Sequence, residues 1–480
     1  MTISPVDLAV LTAYLGAVLL LGIWIGRGTQ TASDYFLGDR SLPWPALLLS
    51  IVATETSTVT FLSIPGLAAA SGGNMTFLQI AIGYVAGRLL VVAFLLPMYF
   101  EGRIFTAYEV LQTRFGRLSR RLVSTLFLLT RNTADALRLF LTALVLQVVV
   151  GLDLTASIIV IAAVTIVYTL IGGARSVIWN DCIQFVVYTL GALAAVVILA
   201  GTLPDGLFAY GAASGRLQVF DFTPTLSGST MTFWAGFVGG AFLTAATHGT
   251  DQLMVQRYLS ASSRRDASLA LGLSGFIVFL QFGLFLLIGV GLGGLAATGV
   301  SLPERGDQMF AWFIVHYMPT GLLGLTLAAV FAAAMSTLSS SLNASAAALV
   351  NDLVGQRDDD AETTRIARWY TLAFGLLQAG LAILFGLSGT EESTVALVLK
   401  VAGFAAGPVL GLYMFALAVP DGDERSALTG FVAGLAVLAL IAMTTELFWA
   451  WYAAVGALAC LAAAGAATML LPRRPGALSG

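Results

Sequence analysis

A dense row of hydroxyl side chains lies in the apolar segment 321–354, which is long enough to span a bilayer. Five of six consecutive positions carry a hydroxyl, namely Ser336, Thr337, Ser339, Ser340 and Ser341. Ser336, Ser339 and Ser340 are spaced i, i+3 and i+4, so their oxygens share one face of a helix. Such a face suits a small hard cation such as Na⁺, which prefers oxygen ligands. Close helix packing through small residues is the alternative interpretation.

The composition is that of a membrane protein. The chain has 480 residues, of which 58% are hydrophobic and only 10% charged, and its mean hydropathy is +0.91. A soluble domain of this length would lack the polar surface to cover itself, so we expect an all-α polytopic membrane protein. Cys182 and Cys460 fall in or beside apolar segments, which argues against a disulfide framework or a metal cluster. A net charge of −3 argues against a nucleic-acid partner.

Apolar segments recur along the whole chain and predict about 13 transmembrane helices in a single domain, 1–480. The predicted spans are 5–26, 43–71, 75–99, 121–150, 153–171, 174–201, 231–257, 267–298, 319–353, 363–387, 391–418, 425–446 and 447–471. The first lacks a basic region before it and a cleavage site after it, so we expect it to be retained.

The arginines predict the orientation in the membrane. If the spans alternate from an outward N-terminus, 17 arginines lie on the inner side and only Arg216 and Arg305 on the outer side. Basic residues concentrate on the cytoplasmic side of membrane proteins, so we expect the N-terminus outside and the C-terminus in the cytoplasm.

Two spans carry polar groups that a continuous membrane helix would not favour. The second contains Glu55 among several hydroxyls and then Pro65, and the seventh contains Thr247, His248 and the sequence GTDQ at 249–252. Unwound helices of this kind line solute sites in transporters built from inverted repeats. Because the two spans are five apart, we predict a five-plus-five inverted repeat, 43–201 and 231–418, with helices 425–471 peripheral. A proline kink in the second span is the alternative.

Ionisable residues inside other spans mark further candidate sites. Arg131, Asp135 and Arg138 share one helical face, and Asp181 enters the bilayer beyond Arg175. Such residues usually point into the bundle or a watery cavity, so Asp135 and Arg138 are candidate solute contacts. An intrahelical ion pair and a helix cap are the respective alternatives, and His248 alone is more often a packing residue.

An ordered set of motifs resembles the sodium:solute symporter family. These are DYFLGDRSLP at 34–43, TAYE at 106–109 with RFG at 114–116, GG at 172–173 with WNDCIQ at 179–184, GTDQ at 249–252 with QRYL at 256–259, and STLSSSLN at 336–343. The resemblance implies the five-plus-five repeat and sodium-coupled solute uptake by alternating access.

The resemblance also implies two sodium sites. The first would use the backbone carbonyls of Ala53, Thr56 and Ala333 and the side chains of Ser336 and Thr337. A possible second site would use Asp181, Ser339 and Ser340. Two sites would imply two sodium ions per solute.

The solute contacts follow partly from the sialic acid branch of the family. The resemblance to that branch implies that Glu55, Ser57, Thr60 and Gln79 contact the solute. We add Thr247 and His248, which lie on the second broken span. Ala134 stands where that branch keeps an arginine for the substrate carboxylate, which weakens a sialic acid assignment. Arg131 and Arg138 lie one turn to either side, so a shifted carboxylate clamp is an open possibility.

We therefore expect a sodium-coupled symporter of the inner membrane, and not an enzyme, for a small polar solute such as a sugar, sugar acid or monocarboxylate. Its partners would be the solute, sodium ions as the coupling ion and membrane lipid, with no organic cofactor and a functional monomer. An uncoupled uniporter or channel and a membrane solute sensor are the alternatives.

Overall fold

The computed structural model describes residues 3–470 except 103, 228–230 and 389–393. This part of the chain forms α-helices joined by short 3₁₀ and π segments, with two isolated β-bridges. The α-helices are α1 (Pro5–Gly26), α2 (Ala32–Leu37), α3 (Trp44–Glu55), α4 (Thr58–Ala69), α5 (Leu78–Leu90), α6 (Glu109–Arg114), α7 (Arg117–Val150), α8 (Leu154–Thr202), α9 (Leu207–Ala213), α10 (Gly240–Thr250), α11 (Gln252–Leu259), α12 (Arg264–Ala297), α13 (Gly306–Tyr317), α14 (Leu322–Ala348), α15 (Asp360–Ser388), α16 (Thr394–Ala418), α17 (Glu424–Thr444) and α18 (Tyr452–Leu470).

Many of these helices are long and apolar enough to cross a membrane. Among the described residues there are 8 such helices, or 9 if α3 and α4 form one bent span. Helix α8 counts once, although its 49 residues extend over roughly 70 Å, about twice a bilayer core. It is broken at Gly173, whose φ of +54° suits glycine because it has no Cβ. The predicted boundary between the fifth and sixth spans coincides with this break.

The second predicted span is broken, as expected, but at a different place from its proline. Helices α3 and α4 are bent by 63° at Thr56 and Ser57. The Ser57 hydroxyl caps the new helix by accepting from the Thr60 N–H. Pro65 lies inside α4, which continues to Ala69. The break therefore occurs where hydroxyls can replace backbone partners, beside Glu55.

The second break predicted from the sequence lies at Asp251. There the backbone leaves the helical region (φ −81°, ψ 127°) and separates α10 from α11, and the Asp251 carboxylate caps α11 by accepting from the Leu253 N–H. Helix α10 packs closely on α5 because Gly87 has no side chain. A Cβ at that position would lie only 2.3 Å from the carbonyl oxygen of Ala241. This close approach brings Arg88 on α5 next to His248 on α10.

Helix α14 carries the hydroxyl row and is enclosed by the bundle. Every residue from Thr326 to Ala348 is buried, and the helix packs against α8, α1, α7 and α15. Its first turn is capped from another helix, because the Asp7 carboxylate of α1 accepts from the N–H groups of Gly321 and Gly324, each at 2.7 Å. The first helix is thus attached to the centre of the bundle.

The connections contain helices that the hydropathy pattern does not predict. Helix α2 lies between α1 and α3, α6 between α5 and α7, α9 between α8 and α10, and α13 between α12 and α14. Helix α13 packs on α4, where a Cβ at Gly66 would lie 2.2 Å from the carbonyl oxygen of Gly306. Short helices of 6–12 residues give too weak a periodic signal to be distinguished from loops.

Candidate functional site

The break after α3 meets the hydroxyl row of α14. The Ser336 hydroxyl donates to the Ala53 carbonyl oxygen at 2.8 Å, and the Thr337 hydroxyl donates to the Thr54 carbonyl oxygen at 3.1 Å. Both hydroxyls also lie 3.4 Å from the Ala333 carbonyl oxygen. These neutral oxygens are the ligand type that sodium requires, so the donor set fits the ion.

Thr56 completes the backbone of the break. Its φ and ψ of −80° and 84° are non-helical, which turns its carbonyl out of the α3 hydrogen-bond pattern. Its own hydroxyl lies 2.8 Å from both the Val52 carbonyl oxygen and Gln281 Oε1 and donates its one hydrogen between these two acceptors. The non-helical backbone at Thr56 is compatible with the predicted use of its carbonyl oxygen as an ion ligand.

The residues predicted for a second sodium site are arranged differently. Asp181 Oδ2 accepts from the Ser50 hydroxyl at 2.5 Å and from Arg257 Nη2 at 3.2 Å. Ser340 contacts the Thr54 hydroxyl at 3.2 Å and also accepts from Arg257. The Ser339 hydroxyl instead donates to the Ser336 carbonyl oxygen of its own helix at 3.2 Å. A guanidinium group thus occupies the position between Asp181 and Ser340.

A cavity of about 200 Å³ lies between the two helix breaks. Its walls come from the α3–α4 break, α5, α7, α10, α11, α12 and α16. Six of the residues predicted to contact the solute line it, and these are Glu55, Ser57, Thr60, Arg138, Thr247 and His248. Ala134 lines the same wall as Arg138.

On one side of the cavity Glu55 is held by two basic groups. Its carboxylate accepts a hydrogen bond from Arg88, which is fully buried, and lies 3.5 Å from His248 Nε2. His248 Nδ1 lies 3.2 Å from the hydroxyls of Thr244 and Thr247, which orients the ring. The Glu55 side chain is 14% exposed and lines the cavity.

The wall of the cavity formed by α7 carries a second charged group. Asp135 accepts from Arg131 at 2.7 and 2.9 Å and from Arg138 at 2.5 Å, and Arg131 also lies 3.9 Å from Asp251. Asp135 is fully buried behind the two arginines and does not line the cavity. Within the described part of the chain, the buried Arg138 Nε–H has no hydrogen-bond partner. Arg138 thus retains a donor beside the cavity.

Gln79 lies outside the cavity, where it fastens an outer loop. Its amide nitrogen donates to the carbonyl oxygens of Thr76 and Met231, at 3.0 and 2.9 Å, and its amide oxygen accepts from the Asp221 N–H at 3.0 Å. In that loop, hydrogen bonds from the Thr223 hydroxyl and N–H lower the pKa of the Asp221 carboxyl. Gln79 therefore has a positioning role in this arrangement.

Sequence reasoning missed Arg88, Asp251 and Arg257 as site residues. Arg88 is the one charged residue in its predicted span, 75–99. Because a charge inside a span requires a partner, this arginine could have been selected from the sequence as a candidate site residue. Arg257 was assigned to the inner loop because it ends a span, yet its side chain is 5% exposed. Asp251 belongs to the GTDQ motif and lines the cavity.

Comparison with known proteins gives matches along the whole bundle. The sequence model of the sodium:solute symporter family matches residues 35–434. The sodium/sialic acid symporter NanT of Aliivibrio fischeri is 30% identical over 461 residues, which cover 93% of this chain and 90% of that protein. The sodium-coupled monocarboxylate transporter 1 of Mus musculus is 29% identical, over 88% of this chain and 70% of that protein.

A solved structure shares the fold over nearly the whole length. A Na⁺-coupled sialic acid symporter in a substrate-bound outward-open state superposes with a TM-score of 0.90 at 27% identity, covering 98% of both chains. Because the family match spans residues 35–434, and therefore both helix breaks and the hydroxyl row of α14, this chain belongs to the sodium:solute symporter family.

Proposed function

We propose that the protein couples the inward movement of sodium to the uptake of a small organic acid, a monocarboxylate or sugar acid, by alternating access. The observation that carries the sodium part is the convergence of the Ser336 and Thr337 hydroxyls on backbone oxygens at the α3–α4 break. An ion bound there connects α14 to the α3–α4 break. Sodium thereby stabilises the arrangement in which α14 contacts this break, which also forms one wall of the cavity.

The cavity supports a solute with a carboxylate. Arg138 lines the cavity, its buried Nε–H has no hydrogen-bond partner in the described part of the chain, and guanidinium groups bind carboxylates through charge-assisted hydrogen bonds. Glu55, on the wall at the α3–α4 break, accepts hydrogen bonds from hydroxyl groups of the solute. A volume of about 200 Å³ favours a solute smaller than a drug-sized ligand, whose pockets start at about 300 Å³. A neutral sugar is the second candidate, because Glu55, Ser57 and Thr60 together suit hydroxyls.

The architecture we propose has 13 spans in one domain, with the first helix 5–26, repeats at 43–201 and 231–418, and peripheral helices 425–471. Its support is the pair of broken helices, α3–α4 and α10–α11, which open the two repeats and both line the cavity. The protein lies in the inner membrane with its N-terminus outside, and acts as a monomer with sodium, solute and lipid as its partners.

The experiment is uptake by proteoliposomes that contain the purified protein. Radiolabelled lactate, pyruvate, gluconate, glucuronate, sialic acid and glucose are supplied with an inward gradient of NaCl or of KCl. We expect accumulation of one or more of the acids in NaCl only, and collapse of the accumulation when the sodium gradient is dissipated. Equal uptake in NaCl and KCl would instead support an uncoupled uniporter or channel.

A parallel measurement separates sodium binding from the choice of solute. The melting temperature of the purified protein is followed in NaCl and in KCl without solute, since a ligand that binds only the folded state stabilises it by RT ln(1 + [L]/Kd). Stabilisation by sodium without uptake of any acid would leave the sodium site standing and reject the proposed solute class. Sodium binding without transport would support the sensor.

A further inference from the structure

Arg131 and Asp251 face each other across a narrow gap. Arg131 Nη1 lies 3.9 Å from Asp251 Oδ2, which is too long for a hydrogen bond. The other polar atoms of the two side chains are engaged elsewhere. Nε and Nη2 of Arg131 donate to Asp135, and Asp251 Oδ1 accepts from the Leu253 N–H at 2.8 Å. In the described part of the chain, Nη1 and Oδ2 thus remain as a donor and an acceptor without a hydrogen bond of their own.

This gap belongs to the wall of the cavity. Arg131 and Asp251 both line the cavity, and their side chains are 13% and 24% exposed. Asp251 is therefore more exposed than Glu55, at 14%. Because Asp251 Oδ1 caps the first turn of α11, the position of Oδ2 is fixed as well. The gap is a preformed place for one small polar group.

A hydroxyl group matches the gap better than a carbonyl or a methylene group. It accepts from Arg131 Nη1 and donates to Asp251 Oδ2 at the same time, whereas a carbonyl oxygen only accepts and a methylene group does neither. Either of the latter would displace water from the Asp251 carboxylate and leave Oδ2 without a donor, which is costly for a charged group. The gap therefore discriminates between solutes by their hydrogen-bond donors.

The gap is close to the proposed carboxylate contact. Asp135 accepts from both Arg131 and Arg138, so the two guanidinium groups are neighbours on one carboxylate. A solute carboxylate at Arg138 would bring the group on the adjacent carbon toward Arg131 and Asp251. The recognised hydroxyl is thus one that lies next to the carboxylate of the solute.

We propose that Arg131 and Asp251 form a hydroxyl-recognition site, and that the solute is a 2-hydroxy acid, either a short one such as lactate or a sugar acid. This inference rests on the proposed function, because it requires a carboxylate bound at Arg138. It narrows the solute class, since unsubstituted acids and 2-oxo acids lack the donor that Asp251 needs. Arg138 binds the charge of the acid, and Asp251 determines which acid is preferred.

The test compares acids that differ only at the second carbon. Sodium-driven uptake into proteoliposomes is measured for two matched sets, lactate with pyruvate and propionate, and gluconate with 2-oxogluconate and 2-deoxygluconate. In the set that is transported, we expect the wild type to have a KM for the 2-hydroxy acid about 10- to 100-fold below those of its analogues, as for a hydrogen bond to a charged group.

The variant D251N tests the acceptor itself. Its amide oxygen still caps α11, while an amide NH₂ group replaces Oδ2 and donates instead of accepting. We therefore expect the preference for the 2-hydroxy acid over the 2-oxo acid to fall by about tenfold or more. D205N, which changes an exposed aspartate in the loop after α8, is the control and should keep the wild-type preference.

The outcomes separate this inference from the proposed function. A wild type that takes up the 2-oxo or 2-deoxy acid as well as the 2-hydroxy acid would overturn the inference and leave sodium-coupled acid uptake standing. The same holds if D251N slows the uptake of all acids equally and keeps their order. No sodium-driven uptake of any acid in either set would contradict the proposed function. If D251N fails to fold, D251S replaces it, because serine also caps helices, and it should show the same loss of preference.

Discussion

Ser336 and Ser340 share a helix face but have different partners. Ser336 reaches the carbonyl oxygen of Ala53 at the break, whereas Ser340 is bonded to Thr54 and Arg257. The hydroxyl between them in the sequence row, Ser339, turns back to its own helix. The serines of one row thus contact the proposed sodium site, a buried ion pair and their own helix, and the division depends on what each hydroxyl faces.

The first prediction concerns Ser336. Replacing it by alanine removes one of the oxygen ligands at the break, and we expect sodium affinity to fall by roughly tenfold or more, which is about 1.4 kcal/mol. The measurement is the sodium concentration that gives half-maximal thermal stabilisation. The matched control is S341A on the same helix, where the hydroxyl accepts a hydrogen bond from Gln378 Nε2 at 3.2 Å. An unchanged sodium affinity in S336A would rule out the assigned site.

The second prediction concerns Arg138. In R138Q the cavity loses its available guanidinium, and we expect the apparent KM for a carboxylate solute to rise by about 10- to 100-fold, as for loss of a hydrogen bond to a charged group. Sodium affinity measured without solute should stay near the wild-type value, because Arg138 contributes none of the proposed sodium ligands at the break. R121Q, an exposed arginine on the same helix, is the control. Equal KM values in R138Q and the wild type would move the carboxylate contact elsewhere.

At the scale of elements, the site depends on helices that stop inside the bundle. The α3–α4 break exposes backbone oxygens, and α14 supplies hydroxyls opposite them. The height of α14 in the bundle is set in part by its cap, because the Asp7 carboxylate binds two N–H groups of its first turn. Asp7 is 1% exposed, so this cap is a buried charge that the helix N-terminus neutralises in part.

The third prediction concerns this cap. We expect D7A to lower the free energy of unfolding by about 0.5–2 kcal/mol, the usual cost of losing a helix cap, with a smaller loss in D7N because its amide oxygen still accepts. The readout is the melting temperature of the purified protein. D205A, which removes an exposed aspartate in the outer loop, serves as the control. A melting temperature of D7A equal to that of D205A would show that α14 does not need the cap.

For the whole molecule, the distribution of charge predicts the orientation in the membrane. The predicted topology puts 17 arginines on one side and only Arg216 and Arg305 on the other, and 16 remain on the first side when Arg257, which is buried in α11, is left out. This asymmetry predicts an outward N-terminus for the chain as a unit. It also places the exposed loop residues Asp205 and Asp358 on opposite faces of the membrane.

The fourth prediction tests that orientation with single cysteines. D205C should react with a membrane-impermeant maleimide in intact cells, whereas D358C should react only after the membrane is permeabilised. Cys182 and Cys460 lie within helices and are replaced by alanine in the background used for labelling. Labelling of D358C in intact cells, with D205C protected, would reverse the proposed topology.

Much of this protein follows from local sequence. The apolar segments, the break in the second span and the hydroxyls of α14 all lie within single helices, and short-range spacing is enough to predict them. The location of the break does not follow from the proline. Proline at position 65 suggests a helix end there, but Pro65 lies inside α4, and the break separates α3, which ends at Glu55, from α4, which begins at Thr58. Hydroxyl caps at Ser57 and close helix contacts at Gly66 decide this, and only the second depends on the fold.

The partners of the buried charges were decided by the tertiary structure alone. Arg88 meets Glu55 across 33 residues of sequence, and Arg257 meets Asp181 across 76. A buried charge must be paired, so the sequence indicates that partners exist, but their identity depends on which helices become neighbours. The same holds for Gln79, which the structure places at an outer loop. Composition and spacing thus determine the class of the protein and the hydroxyls proposed as sodium ligands, while packing decides which charges remain available to a solute or an ion.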